Sequence, residues 1–186
     1  MNKTKIISGK EYYEVKICGL KRDLPLFEVA PGIKIAIFNL LGDVEIVEKA
    51  GKALAKKLPK NTEVIVTAEV KSVPLAYEIA KKIKVPYVVL RKIVKPYMGK
   101  ALKSETLSIT TGKKQEIWLD EKDLKLLKNK NVVIIDDVVS TGSTLKGIED
   151  IVKKAGGKLI AEAAIFTEGE NWNKFICLGN LPVFKN

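Results

Sequence analysis

Two adjacent carboxylates, Asp136 and Asp137, stand between an apolar run and a loop of small hydroxylated residues in the stretch VVIIDDVVSTGSTLKG (132–147). A strand that ends in a tight loop and enters a helix presents free backbone N–H groups together with the positive end of the helix dipole. Ser140, Thr141, Gly142, Ser143 and Thr144 are small, Gly142 can take a positive φ, and the hydroxyls add donors. That combination suits a phosphate. A carboxylate does not bind phosphate; it accepts hydrogen bonds from sugar hydroxyls or helps hold Mg²⁺ through water. A ligand carrying a phosphate at one end and a diol a few ångströms away, such as ribose 5-phosphate, would satisfy both halves. The Gly-x-x-x-x-Gly-Lys string of the nucleotide P-loop is absent. In α/β proteins a strand–Asp–turn–helix also arises with Ser or Thr serving only as a helix cap, but the full string VVIIDDVVSTGST carries more than a cap needs.

Placing these groups requires a particular order of elements. YYEVKIC alternates as a half-buried strand does, and IKIAIFN reads as a second strand. GDVEIVEKAGKALAKKL has apolar residues at helical spacing and should stop at Pro59. EVIVTAE, PYVVLRK, NVVIID and KLIAEAAIFTE read as strands, and VPLAYEIAKKIK, EKDLKLLK and STLKGIEDIVKKA as helices, the last closed by Gly156-Gly157. ETLSITT and KQEIWL suggest a hairpin joined across GKK. From residue 64 to 166 the order is strand, helix, strand, hairpin, strand, helix, strand. This predicts an α/β fold with a largely parallel central sheet flanked by helices, and ligands at the carboxyl ends of its strands.

The bulk numbers narrow the chemistry. The chain has 186 residues, 46% hydrophobic and 30% charged, as expected of one globular domain. No apolar run approaches the roughly 20 residues that span a membrane, and MNKTKIISGKEYYEV has no signal-peptide core, so a cytoplasmic protein with no membrane partner is expected. Cys18 and Cys177 form no metal-binding spacing, and the absence of histidine removes every Ser-His or Cys-His mechanism. The net charge of +11 favours polyanions, yet the lysines are spread as on a solvated surface and no aromatic-rich basic strand suggests nucleic acid. Arginine occurs only as Arg22 and Arg91, the two positions able to fork a phosphate.

The string VVIIDDVVSTGST resembles the phosphoribosyl pyrophosphate (PRPP) motif of the type I phosphoribosyltransferases, and the resemblance extends over roughly residues 60 to 168. Asp-Asp followed by S-T-G-S-T is most similar to adenine and xanthine phosphoribosyltransferases and their relatives; hypoxanthine–guanine enzymes usually show Glu-Asp there. The resemblance implies a type I phosphoribosyltransferase fold, a single domain over 1–186 with its core at about 60–168, a flexible lid hairpin, and a small hood from about 1–42 and 168–186. It implies a pyrophosphate loop at Glu69, Val70, Lys71 and Ser72, often with a non-proline cis peptide. It implies a basic strand end at Arg91, Lys92 and Lys95, with a lid running through Gly99 that excludes water. PRPP would be held by these residues together with Asp136, Asp137 and the loop Ser140–Thr144, with Asp136, Asp137 and Arg91 nearest the chemistry. Phe38 and Asn39 would meet the base, or lie in the core and in a turn; Glu168 would line the same pocket. Trp118 and Trp172 are expected to pack.

The implied reaction is displacement of pyrophosphate from ribose C1 by a purine nitrogen, with Mg²⁺ carried by PRPP rather than held by direct protein ligands, giving a nucleoside monophosphate. Around Gly112 the chain reads SITTGKK, with Thr110 and Thr111 where adenine enzymes carry a lid glutamate, which leans toward the xanthine-like branch or toward another relative of the family. The alternative is a non-catalytic PRPP sensor of the same fold, as in purine repressors; those carry an N-terminal winged helix, for which the roughly 60 residues before the core leave no room. A homodimer is expected from the family.

Overall fold

Val132, Val133, Ile134 and Ile135 are all fully buried, which a strand can achieve only when both faces of its sheet are covered. In the computed structural model, which describes residues 4–107, 114–169 and 174–185, that covering is built as follows. The chain opens with an antiparallel meander, β1 (Thr4–Ile7), β2 (Lys10–Ile17), β3 (Leu20–Ala30) and β4 (Ile33–Ala36), followed by α1 (Val44–Ala55). Next come β5 (Val64–Ala68), α2 (Val73–Ile83) and β6 (Tyr87–Leu90). A 3-10 turn at Pro96–Met98 leads into the hairpin β7 (Leu102–Leu107) and β8 (Lys114–Leu119). A second 3-10 turn at Glu121–Asp123 runs into the short α3 (Leu124–Leu127). Then follow β9 (Asn131–Val139), α4 (Ser143–Lys154), β10 (Lys158–Glu168), β11 (Ile176–Leu181) and β12 (Val183–Lys185).

The central sheet has the order β11-β10-β9-β5-β6 and is parallel throughout. Alternation splits its core in two. Val133 and Ile135 of β9 face a cluster with Ile46 and Leu54 of α1 and Leu75 and Ile79 of α2. Val132 and Ile134 face Leu145, Ile148 and Ile151 of α4 and Ile117 and Leu119 of β8. This is the fold class the order of elements predicted. The apolar stripes explain the helices: Ile46, Ala50 and Leu54 bury one face of α1, and Gly51 lets α2 approach so closely that a Cβ there would sit 2.8 Å from Glu78 Cγ. α4 starts at Gly142, in the left-handed region at φ 72°, and ends before Gly156 at φ 76°.

The second sheet, β1-β2-β3-β4-β12, packs Val15, Ile17, Leu20 and Leu24 against Phe166 and Leu181. Several elements differ from expectation. Residues 176–181, expected in the hood, extend the parallel sheet as β11, where Gly179 backs onto the Phe166 ring. β1 and β3 were not anticipated, because charges and Pro25 interrupt the apolar pattern of LKRDLPLFEVA. IKIAIFN stops being a strand at Ala36, and α1 stops at Ala55, short of Pro59. β9 runs through both aspartates to Val139 instead of ending on them. The stretch through Gly99 is anchored by the buried Met98 and by Glu121, whose carboxylate accepts from the Lys100 N–H at 2.8 Å. The GKK connection, with Thr110, Thr111 and Gly112, and Trp172 lie outside the described residues. Among the described residues no helix is long and apolar enough to cross a membrane.

Candidate active site

β5 and β9 are neighbours, so the residues following β5 and the aspartates of β9 meet at one end of the sheet. Their junction is Ser72. It occupies the N-cap position of α2, yet its side chain does not cap that helix. Its hydroxyl instead donates to Asp136 Oδ1 at 2.7 Å and accepts from the Asp137 N–H at 2.9 Å. The same N–H also reaches Asp136 Oδ1, at 2.8 Å. Burial, then the neighbouring Asp137 charge, push the Asp136 carboxyl up to about 7; the bonds from Ser72 and the Asp137 N–H act the other way. Asp137 is itself buried, and the Lys71 ammonium reaches its Oδ2 at 2.8 Å. The Glu69–Val70 peptide just upstream is cis.

Arg91, at the end of β6, directs its Nε to Glu69 Oε2 at 2.9 Å, and the Lys92 N–H donates to Glu69 Oε1 at 2.6 Å. Glu69 therefore ties the pyrophosphate-type loop to the basic strand end. Lys71 and Arg91, two of the cations expected to hold an anion, are both paired with carboxylates, so an incoming anion must exchange with those pairs. Arg91 is also fixed through its backbone: its N–H and C=O exchange hydrogen bonds with those of Trp118 on β8, at 2.8 and 2.7 Å. The role of Trp118 as a backbone partner of Arg91 had no sequence signal. Lys95 stands apart from this cluster; its N–H meets the Met98 sulfur at 3.2 Å.

On the other side of Asp137, the loop from Ser140 to Gly142 turns into α4. Gly142 has no side chain to cap the helix, and among the first-turn amides only the Lys146 N–H, one turn in, closes back onto the Gly142 carbonyl, at 3.1 Å. The amides of Ser143 and Thr144 thus lie at an uncapped helix start, the geometry that suits a phosphate. Thr141 donates to Ser143 Oγ at 3.2 Å. Ser140 is turned toward Glu168, a buried carboxylate at the end of β10 that accepts its hydroxyl proton. Glu168 thus braces the phosphate-type loop, a different position from the base contact expected for it.

Phe38 lies in the core and not against a base, the second of the two placements expected for it. Its ring is buried, edge-on to Phe166 with centroids 5.0 Å apart, so neither face is open to stack on a base. Asn39 is exposed beside it and caps a turn by accepting from the Leu41 N–H at 3.2 Å. Arg22 is not a phosphate ligand either: its Nε and a terminal nitrogen fork Asp43 at 2.6 and 2.9 Å, and it reaches Glu45 at 3.1 Å. Asp43 also caps α1 by accepting from the Ile46 N–H at 3.1 Å. The signal for this clamp was available, since Asp43 sits at the N-cap position of a legible helix.

The comparisons with known proteins bear on this arrangement. The profile described as "Phosphoribosyl transferase domain" matches residues 41–174. The chain is 28% identical over 142 residues to the purine biosynthesis transcriptional activator PurR of Lactococcus lactis, covering 76% of this chain and 51% of that protein. It is 28% identical over 146 residues to the hypoxanthine/guanine phosphoribosyltransferase of Methanococcus voltae, covering 78% of this chain and 71% of that one. The chain thus spans about half the length of the PurR regulators it matches. Adenine phosphoribosyltransferase from Thermoanaerobacter pseudethanolicus superposes with a TM-score of 0.67 at 22% identity, over 84% of this chain and 95% of that one, and so shares the fold. The matched span contains the Glu69–Ser72 loop, the Arg91 strand end and the Asp136–Thr144 motif, and on that ground the chain belongs to the phosphoribosyl transferase domain family.

Proposed function

We propose that the chain is a purine phosphoribosyltransferase, moving ribose 5-phosphate from PRPP to a purine base with release of pyrophosphate. The observation that carries this reading is the Ser72 junction, which holds the pyrophosphate-type loop and the two aspartates in one site. In this reading Asp136 and Asp137 accept the ribose hydroxyls. The amides and hydroxyls of Ser140–Thr144 take the 5-phosphate. Lys71 and Arg91 leave Asp137 and Glu69 to receive pyrophosphate, helped by Lys92, Lys95 and the amides around Val70. Asn39 meets the base edge, with Phe38 supporting it from the core.

The bond from ribose C1 to pyrophosphate breaks as a purine nitrogen bonds to C1. Negative charge grows on the leaving group, and positioned cations there lower the barrier more than they stabilise the ground state. Mg²⁺ arriving with PRPP would neutralise part of that charge, and the oxygen donors of Asp136 and Asp137 fit a hard cation held through water. The named complexes of structural relatives support the ligand class: one yeast adenine enzyme was captured with adenine, and a trypanosome enzyme with AMP, pyrophosphate and ribose-5-phosphate.

The PurR relatives favour a second reading, a regulatory protein that binds PRPP without turnover. One assay separates the two: protein, Mg²⁺ and PRPP with adenine, hypoxanthine, guanine or xanthine, following pyrophosphate release. Turnover with one base is the expected result and names the substrate. PRPP binding lost on Asp137→Asn, with no turnover, selects the regulator. Absence of PRPP binding by the wild type refutes both.

A further inference from the structure

We propose that Asn180 selects the base: its side-chain carbonyl accepts a hydrogen bond from an N–H on the six-membered ring of the purine, so the substrates are purines that carry such a donor. This rests on the phosphoribosyl-transfer reading above and adds to it a residue and a substrate class.

The layout of the sheet fixes where the base must lie. In displacement at ribose C1 the nucleophile arrives on the side opposite the leaving group, with the reacting orbitals in line. The Glu69–Ser72 loop, assigned above to pyrophosphate, follows β5, which flanks β9 on one side. β10 and then β11 flank β9 on the other side. With the ribose held at Asp136 and Asp137, the base therefore extends over the carboxyl ends of β10 and β11. Val139, Thr167 and Asn180 stand in one row across those ends. Asn180 is thus two strand spacings, roughly 10 Å, from β9.

Phe166 and Thr167 are buried in this region, and Glu168 is turned to Ser140. Asn180 is exposed, and its carboxamide is held in one orientation. Its Nδ2 donates to Thr167 Oγ1 at 3.0 Å and to the Gly169 carbonyl at 2.8 Å. A backbone carbonyl only accepts, so the nitrogen must be the atom on that side. Both amide protons are used there, and among the described residues Oδ1 has no hydrogen-bond partner. An acceptor locked by two bonds of its own amide is preorganised for a donor arriving from the ligand.

Asn39 is its counterpart. The Phe38 and Phe166 ring centroids are 5.0 Å apart, and a Cβ at Gly179 would lie 3.0 Å from the Phe166 ring. The neighbours of Phe38 and Gly179, Asn39 and Asn180, therefore flank one buried ring. Asn39 commits its Oδ1 to the Leu41 N–H and so offers its Nδ2 donors. One carboxamide offers an acceptor and the other offers donors. That pair matches a base edge with an N–H beside a lone pair, as in adenine, hypoxanthine, guanine and xanthine. It mismatches unsubstituted purine, whose six-membered ring has lone pairs only, and a polar group left unpaired in this way is what rejects an analogue.

The test is calorimetry of the full chain with the 5′-monophosphates of adenosine, inosine, guanosine and xanthosine, and with purine riboside 5′-monophosphate, which lacks the donor. Thermal melts show that each variant is folded. The wild type should prefer at least one of the first four over the last by about tenfold or more. Asn180→Ala, or Asn180→Thr if the alanine variant does not fold, should bring that ratio below about threefold and leave ribose 5-phosphate binding within about twofold of wild type. Thr167→Val releases the amide while keeping Oδ1, and should lower the ratio part of the way. A ratio unchanged by the Asn180 variants, or five affinities that fall together as a merely structural role requires, overturns the proposal and leaves the transfer reading standing. A wild type that binds PRPP but shows no preference for the donor-bearing nucleotides overturns it as well. A wild type that binds neither PRPP nor any nucleotide refutes the transfer reading, and this inference with it.

Discussion

Replacing Ser72 with alanine removes one hydroxyl and tests the centre of the site. The hydroxyl donates to the Asp136 carboxylate and accepts from the Asp137 N–H, and the residue is buried. The N–H keeps a second acceptor in Asp136 Oδ1, so the main loss is the bond to the carboxylate. A hydrogen bond to a charged group contributes about 1.5–3 kcal/mol, which puts the expected destabilisation near 2 kcal/mol. In a chain of this size that lowers Tm by about 4–8 °C. The cost should depend on pH. The folded Asp136 carboxyl titrates above its unfolded value of 3.8, so its contribution to stability is fully present below that value and lost as pH rises through the folded one. Ser72 holds the folded value down, and its removal raises it further. The variant should therefore lose more stability at about pH 8 than at about pH 5, because the charged form is the one left unsupported. Urea denaturation at the two pH values reads this directly. A cost below about 0.5 kcal/mol, or an equal cost at both pH values, would refute the reasoning. PRPP affinity should fall on the order of tenfold, equivalent to about 1.4 kcal/mol of lost loop ordering.

Three further outcomes follow from other parts of the structure. Asp43→Ala removes both the α1 cap and the forked pair with Arg22, whereas Arg22→Met removes the pair alone, so the first should cost about 1 kcal/mol more in denaturant melts. The Arg22 bond holds the Asp43 carboxyl below its usual range, so the pair's contribution is present above the unfolded value and lost as pH falls through the folded one; a double-mutant cycle should show the coupling vanish in acid. Gly142→Ala places a Cβ at φ 72° and should cost about 1–2 kcal/mol, with weakened binding of a phosphate such as ribose 5-phosphate by calorimetry. Phe38→Ala should lower stability by about 3–5 kcal/mol as a core truncation; a change in base KM without a loss of Tm would restore the ring to the pocket.

The parallel core was legible because burial on both faces forces continuous runs such as VVII, and helices against it need an apolar stripe. The phosphate-type loop was legible because only small residues and a glycine satisfy a tight turn into a helix. The antiparallel meander was not, since β3 carries Lys21, Arg22, Asp23 and Pro25 on a strand with one wet face. Pro25 cannot donate to the ladder, but its carbonyl accepts from the Ile37 N–H at 2.9 Å. Phe38 followed an apolar alternation that gives no sign of which neighbour covers it; Phe166, its partner, is far away in sequence. Ser140 and Glu168 were each singled out, but for ligand contacts, and their mutual bond belongs to tertiary placement that spacing does not encode.

The short strand β12 pairs with β4, Val183 opposite Ile35 and Lys185 opposite Ile33. The meander it completes is made early in synthesis, and β12 emerges only after the whole parallel sheet. Strands β1 to β4 must therefore wait on the nascent chain with one edge unsealed, while the αβ units beside them can already fold. In the finished molecule the same pairing works as a clasp joining regions distant in sequence. Its brevity makes it the cheapest ladder to unpeel, so hydrogen exchange should show β12 and the facing amides of β4 opening together, ahead of the β2–β3 pair.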